Sequence, residues 1–452
     1  MKNLTTGSVF KNIVFFSLPY LLSYFLQTLY GMADLFIIGQ FETDVSGTTA
    51  VSIGSQVMHM LTVMLVGLAM GSTVSIGQAI GANNKKQASF AVGNTVTLFM
   101  LVSAALTAVL LVLVKPIVSA MSTPAEAVSG TIIYLTICFA GIPFITAYNV
   151  ISSIFRGMGD SKSPMYFIAV ACAVNIGLDY LFMGALHMGP AGAALGTTIS
   201  QAVSVIISLT VIVKRKMISI SRSGLKPNKP VVSKLLKIGI PVALQDGFIQ
   251  ISFVIITIIA NNRSLTDSAA VGIVEKVIGF LFLVPSSMLS TVSALGAQNI
   301  GAGKKERALQ TLKYACMISV GFGIVVCIIV QIFSEQIVGL FTPDQAAIIA
   351  GGQYLRSYIF DCVFAGIQFS FSGYFCACGN SQLSFMHNVI SIIFARVPGA
   401  FLASKMFPDT LFPMGLASAA GSLLSSVICI AALCIILKKD KKKERLNCIW
   451  IS

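Results

Sequence analysis

The chain has 452 residues, 56% of them hydrophobic and only 10% charged, with a formal net charge of +14. A soluble domain carries about 25% charged residues, so this composition excludes one and identifies an integral membrane protein. The basic excess does not mark nucleic-acid binding, because it is confined to alternate loops, as membrane topology requires.

The apolar runs last about 20 residues or slightly more, which matches a ~30 Å hydrocarbon core at 1.5 Å rise per residue. They predict twelve transmembrane helices. The first, Asn12–Gly39, contains Pro19 and, on one helical stripe, Gln27, Tyr30 and Asp34 at i, i+3 and i+7. It is long and lacks a small-residue cleavage site, so it is expected to stay as a span. Three more follow, Thr49–Ile76, Phe90–Val114 and Gly130–Phe155. The fifth, Pro164–Gly184, places Asn175 and Asp179 four residues apart on one face, and the sixth, Gly192–Val213, carries Thr197 and Thr198 in "GTT". A basic stretch broken by proline and glycine, "KRKMISISRSGLKPNKP" (Lys214–Pro230), is too polar to enter lipid and serves as a linker. The second set comprises Leu235–Ala260 with Pro241, Ala269–Val292 with Glu275 and Lys276, and Leu309–Phe333. It continues with Gly352–Phe375, carrying Arg356 and Asp361, then Leu383–Lys405 with Arg396, and Leu411–Leu437. Lys85 and Lys86, Arg156 and Lys162, the linker, "KKER" at Lys304–Arg307 and the tail Lys438–Arg445 fall in alternate loops. Those loops and both termini are therefore expected in the cytoplasm.

Similarity between the two sets recurs at a shift of about 220 residues. "GQAIGANNKKQA" (Gly77–Ala88) resembles "GAQNIGAGKKERA" (Gly296–Ala308), "RGMGDSKS" (Arg156–Ser163) lies against "CACGNSQL" (Cys376–Leu383), and Pro19 faces Pro241. Six spans per half is an even number, so both halves enter the membrane from the same side, as a parallel repeat. The expected organisation is an all-α polytopic fold, with a six-helix lobe over 1–213, a linker over 214–234, a second lobe over 235–437 and a basic tail over 438–452. The two prolines remove a backbone donor early in matching spans, which favours a kink or hinge there.

Charges inside spans cost several kcal/mol unless paired, protonated or facing water, and so mark function. Asp34 lies six residues before Gln40, roughly 9 Å below the outer end of its span. Asp179 lies five residues before Gly184 and Thr197 five after Gly192, so three oxygen-bearing side chains on three helices share one depth, with Asn175 one turn deeper. Two carboxylates close together in a low-dielectric pocket cannot both ionise cheaply, so the pair is suited to hold a proton or to accept Na⁺ through hard oxygen ligands. Glu275, Asp361, Arg356 and Arg396 are expected to form ion pairs within the second half. The ten cysteines and three histidines lack metal or redox spacing, the glycine-rich turns lack the P-loop pattern, and no nucleophile–base pair appears. An enzyme, a bound cofactor and a structural metal are therefore not expected.

Together, "LPYLLSYFLQTLYGMADLFIIG", the "GQAIGA" and "GAQNIGA" turns, "RGMGDSKSP" and "NIGLDYLFM" followed by "GPAGAALGTTISQ" resemble the multidrug and toxic compound extrusion (MATE) family, in its DinF-like branch, over essentially the whole chain. The resemblance implies a pair of six-helix bundles around a central cavity. It further implies a monomer of the bacterial cytoplasmic membrane that exports amphipathic, often cationic, drug-like compounds in exchange for H⁺ or Na⁺. Carried residue by residue, it places the first-lobe cation site at Asp34, Asn175, Asp179 and Thr197, with Thr198 as the alternative in "GTT" and Gln27 and Tyr30 alongside. Asn149 and Asp361 join these last two as cavity candidates. Another branch uses a second-lobe Glu in the seventh span and an Asp in the tenth. Here Ile249 stands near the first position and Asp361 about one turn from the second, so a second-lobe cation site is not expected. The alternatives are a lipid-linked saccharide flippase, which should carry a cationic rather than acidic cavity, and an exporter of one endogenous metabolite.

Overall fold

A computed structural model describes residues 3–42, 45–215 and 224–451. Among them no strand occurs, and twelve membrane-spanning helices account for the fold. In chain order they are α1 (Val9–Phe41), α2 (Val45–Gly81), α3 (Lys85–Ala120), α4 (Ala125–Ala140 and Ile142–Gly157, bent by 49°), α5 (Lys162–Ala185) and α6 (Gly189–Lys214). The second half repeats the pattern with α7 (Lys229–Asn261), α8 (Leu265–Gly301), α9 (Lys305–Gly339), α10 (Gln345–Ala377), α11 (Ser381–Met406) and α12 (Phe412–Ile451). Apart from Leu411, one residue ahead of α12, every predicted span lies inside one of these helices, which run on past the apolar stretch because a helix does not have to stop at the membrane surface. Beyond the span, α12 continues through the basic tail. Of the expected linker, 216–223 lies outside the described residues.

Lipid-facing positions are apolar, as with Phe15, Leu18, Phe36, Met100 and Val112, whereas Ser, Thr, Asn and Gln are abundant among the buried side chains. Hydrocarbon offers no hydrogen bonds, so polar groups turn inward and bond to neighbouring helices or back to their own backbone, and association relies on close packing of small residues.

The repeated turns explain the repeated motifs. After α4, Gly159 takes φ +84°, the left-handed value that ends a helix, and the Asp160 carboxylate then accepts from the backbone of Lys162 and Ser163 to start α5. Gly379 (φ +77°) occupies the matching turn before α11. Arg156, from the same motif, donates to the Tyr20 hydroxyl at 2.8 Å and lies 4.3 Å over its ring, fastening the end of α4 to α1 beside Pro19. Neither Pro19 nor Pro241 interrupts its helix; each sits within continuous helical backbone.

Packing divides the chain into two compact units. The first takes the described residues up to Ala243 together with Ser293–Ala308. Its cohesion comes from helix crossings at backbone distance. Gly81 on α2 lies against the Gln298 carbonyl and Gly301 on α8 against the Gln78 carbonyl, with no room for a methyl group at either, and Gly71 and Gly239 repeat the arrangement between α2 and α7. The Gln298 amide donates to the Gly157 carbonyl at 3.0 Å. Lys304 and Arg307 hold the N-terminal segment by the carbonyls of Thr5 and Thr6, and Leu4 is buried there. The described end of the linker is docked rather than merely solvated: Asn94 on α3 donates to the Gly224 carbonyl and accepts from the Asn228 backbone.

The second unit takes Leu244–Val292 and the residues from Leu309 onward. Arg263, at the end of α7, pairs with Asp267 at 2.7 Å and donates to the carbonyls of Ser404, Phe407 and Pro408, closing the α11–α12 loop. Substituting Gly81 by Val should lower stability by about 1–3 kcal/mol, the usual cost of forcing extra atoms into a filled site. Gly279→Ala, where no atom lies within 4 Å of the added carbon, should be neutral or stabilising by up to ~1 kcal/mol. Thermal unfolding of the two variants in detergent checks the contrast.

Candidate cation site

Three helices of the first unit bring their polar faces together where the sequence places the acids. On α1, the stripe of Gln27, Tyr30 and Asp34 turns inward far enough to leave Asp34 only 2% exposed. Asn175 and Asp179 sit one above the other on α5, both fully buried. Directly after Asp179 the backbone widens into a π-helical turn, Tyr180–Ala185, a feature that re-aims side chains and recurs at functional sites.

The Thr197 hydroxyl donates to Asp34 Oδ2 at 3.0 Å, and the Asn175 amide donates to Asp179 Oδ1 at 3.4 Å. Asp179 and Asn175 also lie close to Asp34, so the four side chains form one cluster. Tyr30 fixes α1 to α6: its hydroxyl donates to the Thr197 carbonyl at 3.1 Å and lies 3.3 Å from Ser200 Oγ. The choice between the two threonines is resolved by direction. Thr198 points at the bend of α4, where its side chain would meet a carbon added to Gly141 at 2.6 Å.

Two residues that sequence reasoning missed complete the cluster. Gly196 faces Asp179 Oδ1 so closely that a side chain would displace the carboxylate, and Ser200, one turn beyond, receives Tyr30. The signal for Gly196 was present in "LGTT", but its use depends on what α5 presents to it. Gln27 is half-buried and outside the hydrogen-bonded set, and Asn149 is buried with its amide bonded at 2.9 Å to the Ile145 carbonyl of its own helix.

Asp34 Oδ1, Asp179 Oδ2 and Asn175 Oδ1 are buried without a hydrogen-bond partner. Among the described residues, no basic side chain is hydrogen-bonded or salt-bridged to either acid. Two neighbouring carboxylates, with three unsatisfied oxygens and no such basic partner, fit a proton or a small hard cation. Groups of three or more His, Cys, Asp or Glu side chains able to hold a transition metal are absent among the described residues.

Among the described residues of the second unit, no two of the four charges expected to pair, Glu275, Asp361, Arg356 and Arg396, come within salt-bridge distance of one another. Arg356 instead pairs with Glu335 at 3.2 Å and donates to Ser334 at 2.7 Å, both near the end of α9. Glu275 accepts from Thr257 at 3.1 Å, Arg396 donates to the Tyr358 hydroxyl, and Asp361 is fully buried.

Comparison with known proteins agrees with this architecture. The MatE family model matches twice, over residues 19–181 and 241–402, so that the two copies begin at Pro19 and Pro241. The chain is 27% identical over 405 residues to the probable multidrug resistance protein YoeA of Bacillus subtilis, covering 88% of this chain and 87% of that one. It is 27% identical over 443 residues to the multidrug export protein MepA of Staphylococcus aureus, covering 96% and 95%. Among solved structures, a multidrug resistance MATE family transporter in an outward-facing conformation superposes with a TM-score of 0.91 at 21% identity, covering 98% of this chain and 99% of that chain. With both halves matched by the family model and the twelve-helix, two-lobed fold shared, the chain belongs to the MATE family of transporters.

Proposed function

We propose that this protein is a cation-coupled antiporter that exports amphipathic, often cationic drug-like compounds from the cytoplasm. The single observation that carries the coupling is the cluster of two neighbouring buried acids, Asp34 and Asp179, with unsatisfied oxygens and, among the described residues, no basic side chain bonded to either. The names of the relatives, multidrug resistance and multidrug export proteins, support drugs as the substrate class.

In this proposal H⁺ or Na⁺ enters from outside and neutralises the pair, which allows α1, α5 and α6 to close on one another. Leaving again, it restores repulsion between the acids and favours a looser arrangement able to attract a cationic substrate. Cation and drug then bias one two-state structure in opposite directions, which is the thermodynamic requirement for exchange by alternating access. Pro19 supplies the place where α1 bends, with Arg156 on Tyr20 holding the adjacent turn. The basic loops and both termini face the cytoplasm, and the membrane is the bacterial cytoplasmic membrane.

Dye efflux from proteoliposomes under separately imposed pH and Na⁺ gradients tests the coupling. Asp34→Asn and Asp179→Asn should each lower gradient-driven efflux about 5- to 150-fold, the range of a typical coupling free energy; normal pumping by both folded variants would sink the proposal. Thr197→Val should weaken the dependence on the driving cation about tenfold or more, since a hydrogen bond to a carboxylate is lost, while Thr198→Val should leave it unchanged. Gly196→Ala, which crowds Asp179, should raise the cation concentration for half-maximal efflux about tenfold, equivalent to ~1.4 kcal/mol.

A further inference from the structure

The two halves of the repeat treat buried charge differently. Counted from Pro19 and Pro241, the position of Asp34 is taken in the second half by Ile256, a fully buried core residue. Counted from the matching turn glycines Gly159 and Gly379, the position of Asp179 is taken by Gly399, and one turn before it stands Arg396. An acid pair in one half is thus replaced by an apolar residue, a glycine and a neighbouring cation.

Arg396 is buried at 6% exposure, at the end of a π-helical turn of α11, Ile392–Arg396, which lies just before the position matching Asp179, whereas the π-turn of the first half follows Asp179. Its guanidinium donates to the Tyr358 hydroxyl and lies 4.7 Å from the centre of the Phe253 ring and 5.8 Å from that of Tyr358. Tyr358, to which it donates, lies about one turn before Asp361 on α10, so the fully buried Asp361 shares the interior of this unit with Arg396, and Glu275 from α8 and Tyr354 add to the charges and hydroxyls in its neighbourhood. Asp361 is fully buried, and neither of its carboxylate oxygens has a hydrogen-bond partner, although the Ser422 hydroxyl, engaged by the Gln368 amide, stands nearby. Glu275 is half-buried and has the Thr257 hydroxyl, so the need for a counter-charge falls chiefly on Asp361. All three charges lie well inside their spans, Leu265–Gly301, Gln345–Ala377 and Ser381–Met406.

A buried carboxyl group without hydrogen bonds must either take up a proton or small cation or sit near a fixed positive charge, and a guanidinium does not lose its proton. We infer that Arg396 is a tethered cation, occupying in the second half the role that a mobile ion plays in the first, so that Asp361 takes up no ion and coupling is confined to one half. Removing that charge should turn the second half into a cation-binding site. The inference stands beside the coupling proposal, and a background lacking the first-half acids lets each fail without the other.

The test uses full-length protein carrying Asp34→Asn and Asp179→Asn, and reads its melting temperature in Na⁺ against choline and across an acid-to-neutral series. With Arg396 or Arg396→Lys, neither Na⁺ nor acid should move the midpoint beyond the parent's behaviour. Arg396→Gln should introduce a rise of a few degrees on adding Na⁺ or acid, as binding to the folded state requires, and further Asp361→Asn should abolish it. A folded Arg396→Gln protein with no new dependence, or one whose dependence survives Asp361→Asn, overturns the inference. Should Arg396→Gln fail to fold, recovery of monodisperse protein by Asp361→Asn supports a charge role. Failure of both variants assigns Arg396 to packing between Phe253 and Tyr358 and overturns it.

Discussion

A carboxylate taken out of water has to be stabilised by the groups around it, and in the first half two of them, Asp34 and Asp179, depend on the same few partners. Most of the local architecture follows from that sharing. Asn175 sits one turn from Asp179 because the pair needs a donor on the same face, and Thr197 supplies a hydroxyl to Asp34 from a third helix. Gly196 is bare because Asp179 fills the space where its side chain would be. Tyr30 bonds to the backbone of the same threonine, so a displacement of α1 relative to α6 disturbs the acids directly.

Elsewhere the membrane imposes a different economy. Helices in lipid gain nothing from burying apolar surface against one another, and they adhere where their backbones approach closely. The reciprocal crossings of Gly81 with Gln298 and of Gly301 with Gln78 place the end of α8 in the first unit, and those of Gly71 with Leu235 and of Gly239 with Leu68 place the start of α7 there, rather than in the unit their sequence position suggests. The same motif residues carry a second duty, since Gln298 also reaches Gly157 and the neighbouring Lys304 and Arg307 hold the N-terminal segment.

A parallel repeat would be expected to carry two equal sites, yet only the skeleton is duplicated. Prolines and turn glycines recur at matching positions, and each half has a π-helical turn in its fifth span although at a different position, while the charges do not recur. One half keeps an acid pair without a basic partner. The other holds an acid beside a permanent guanidinium ringed by aromatic side chains. Duplication of the backbone thus left the electrostatics of each half free to diverge, because backbone geometry depends on proline, glycine and small residues, and not on the charged positions.

The number and limits of the spans, the repeat and the grouping of Asp34, Asn175, Asp179 and Thr197 were legible in the amino-acid order, since hydropathy, span direction and helical periodicity fix depth and face for each residue separately. Packing alone decided that Thr197 and not Thr198 meets Asp34, that Gly196 makes room for Asp179, and that Asn149 turns back onto its own helix. The ion pairs expected among Glu275, Asp361, Arg356 and Arg396 failed for the same reason. Arg356 found Glu335 and Ser334 on a neighbouring helix, and Arg396 was directed by its π-turn to Tyr358 and Phe253. Depth and helical face are properties of one chain segment. The rotation of one helix against the next, which chooses between adjacent side chains and between possible counter-charges, is a property of several segments packed together.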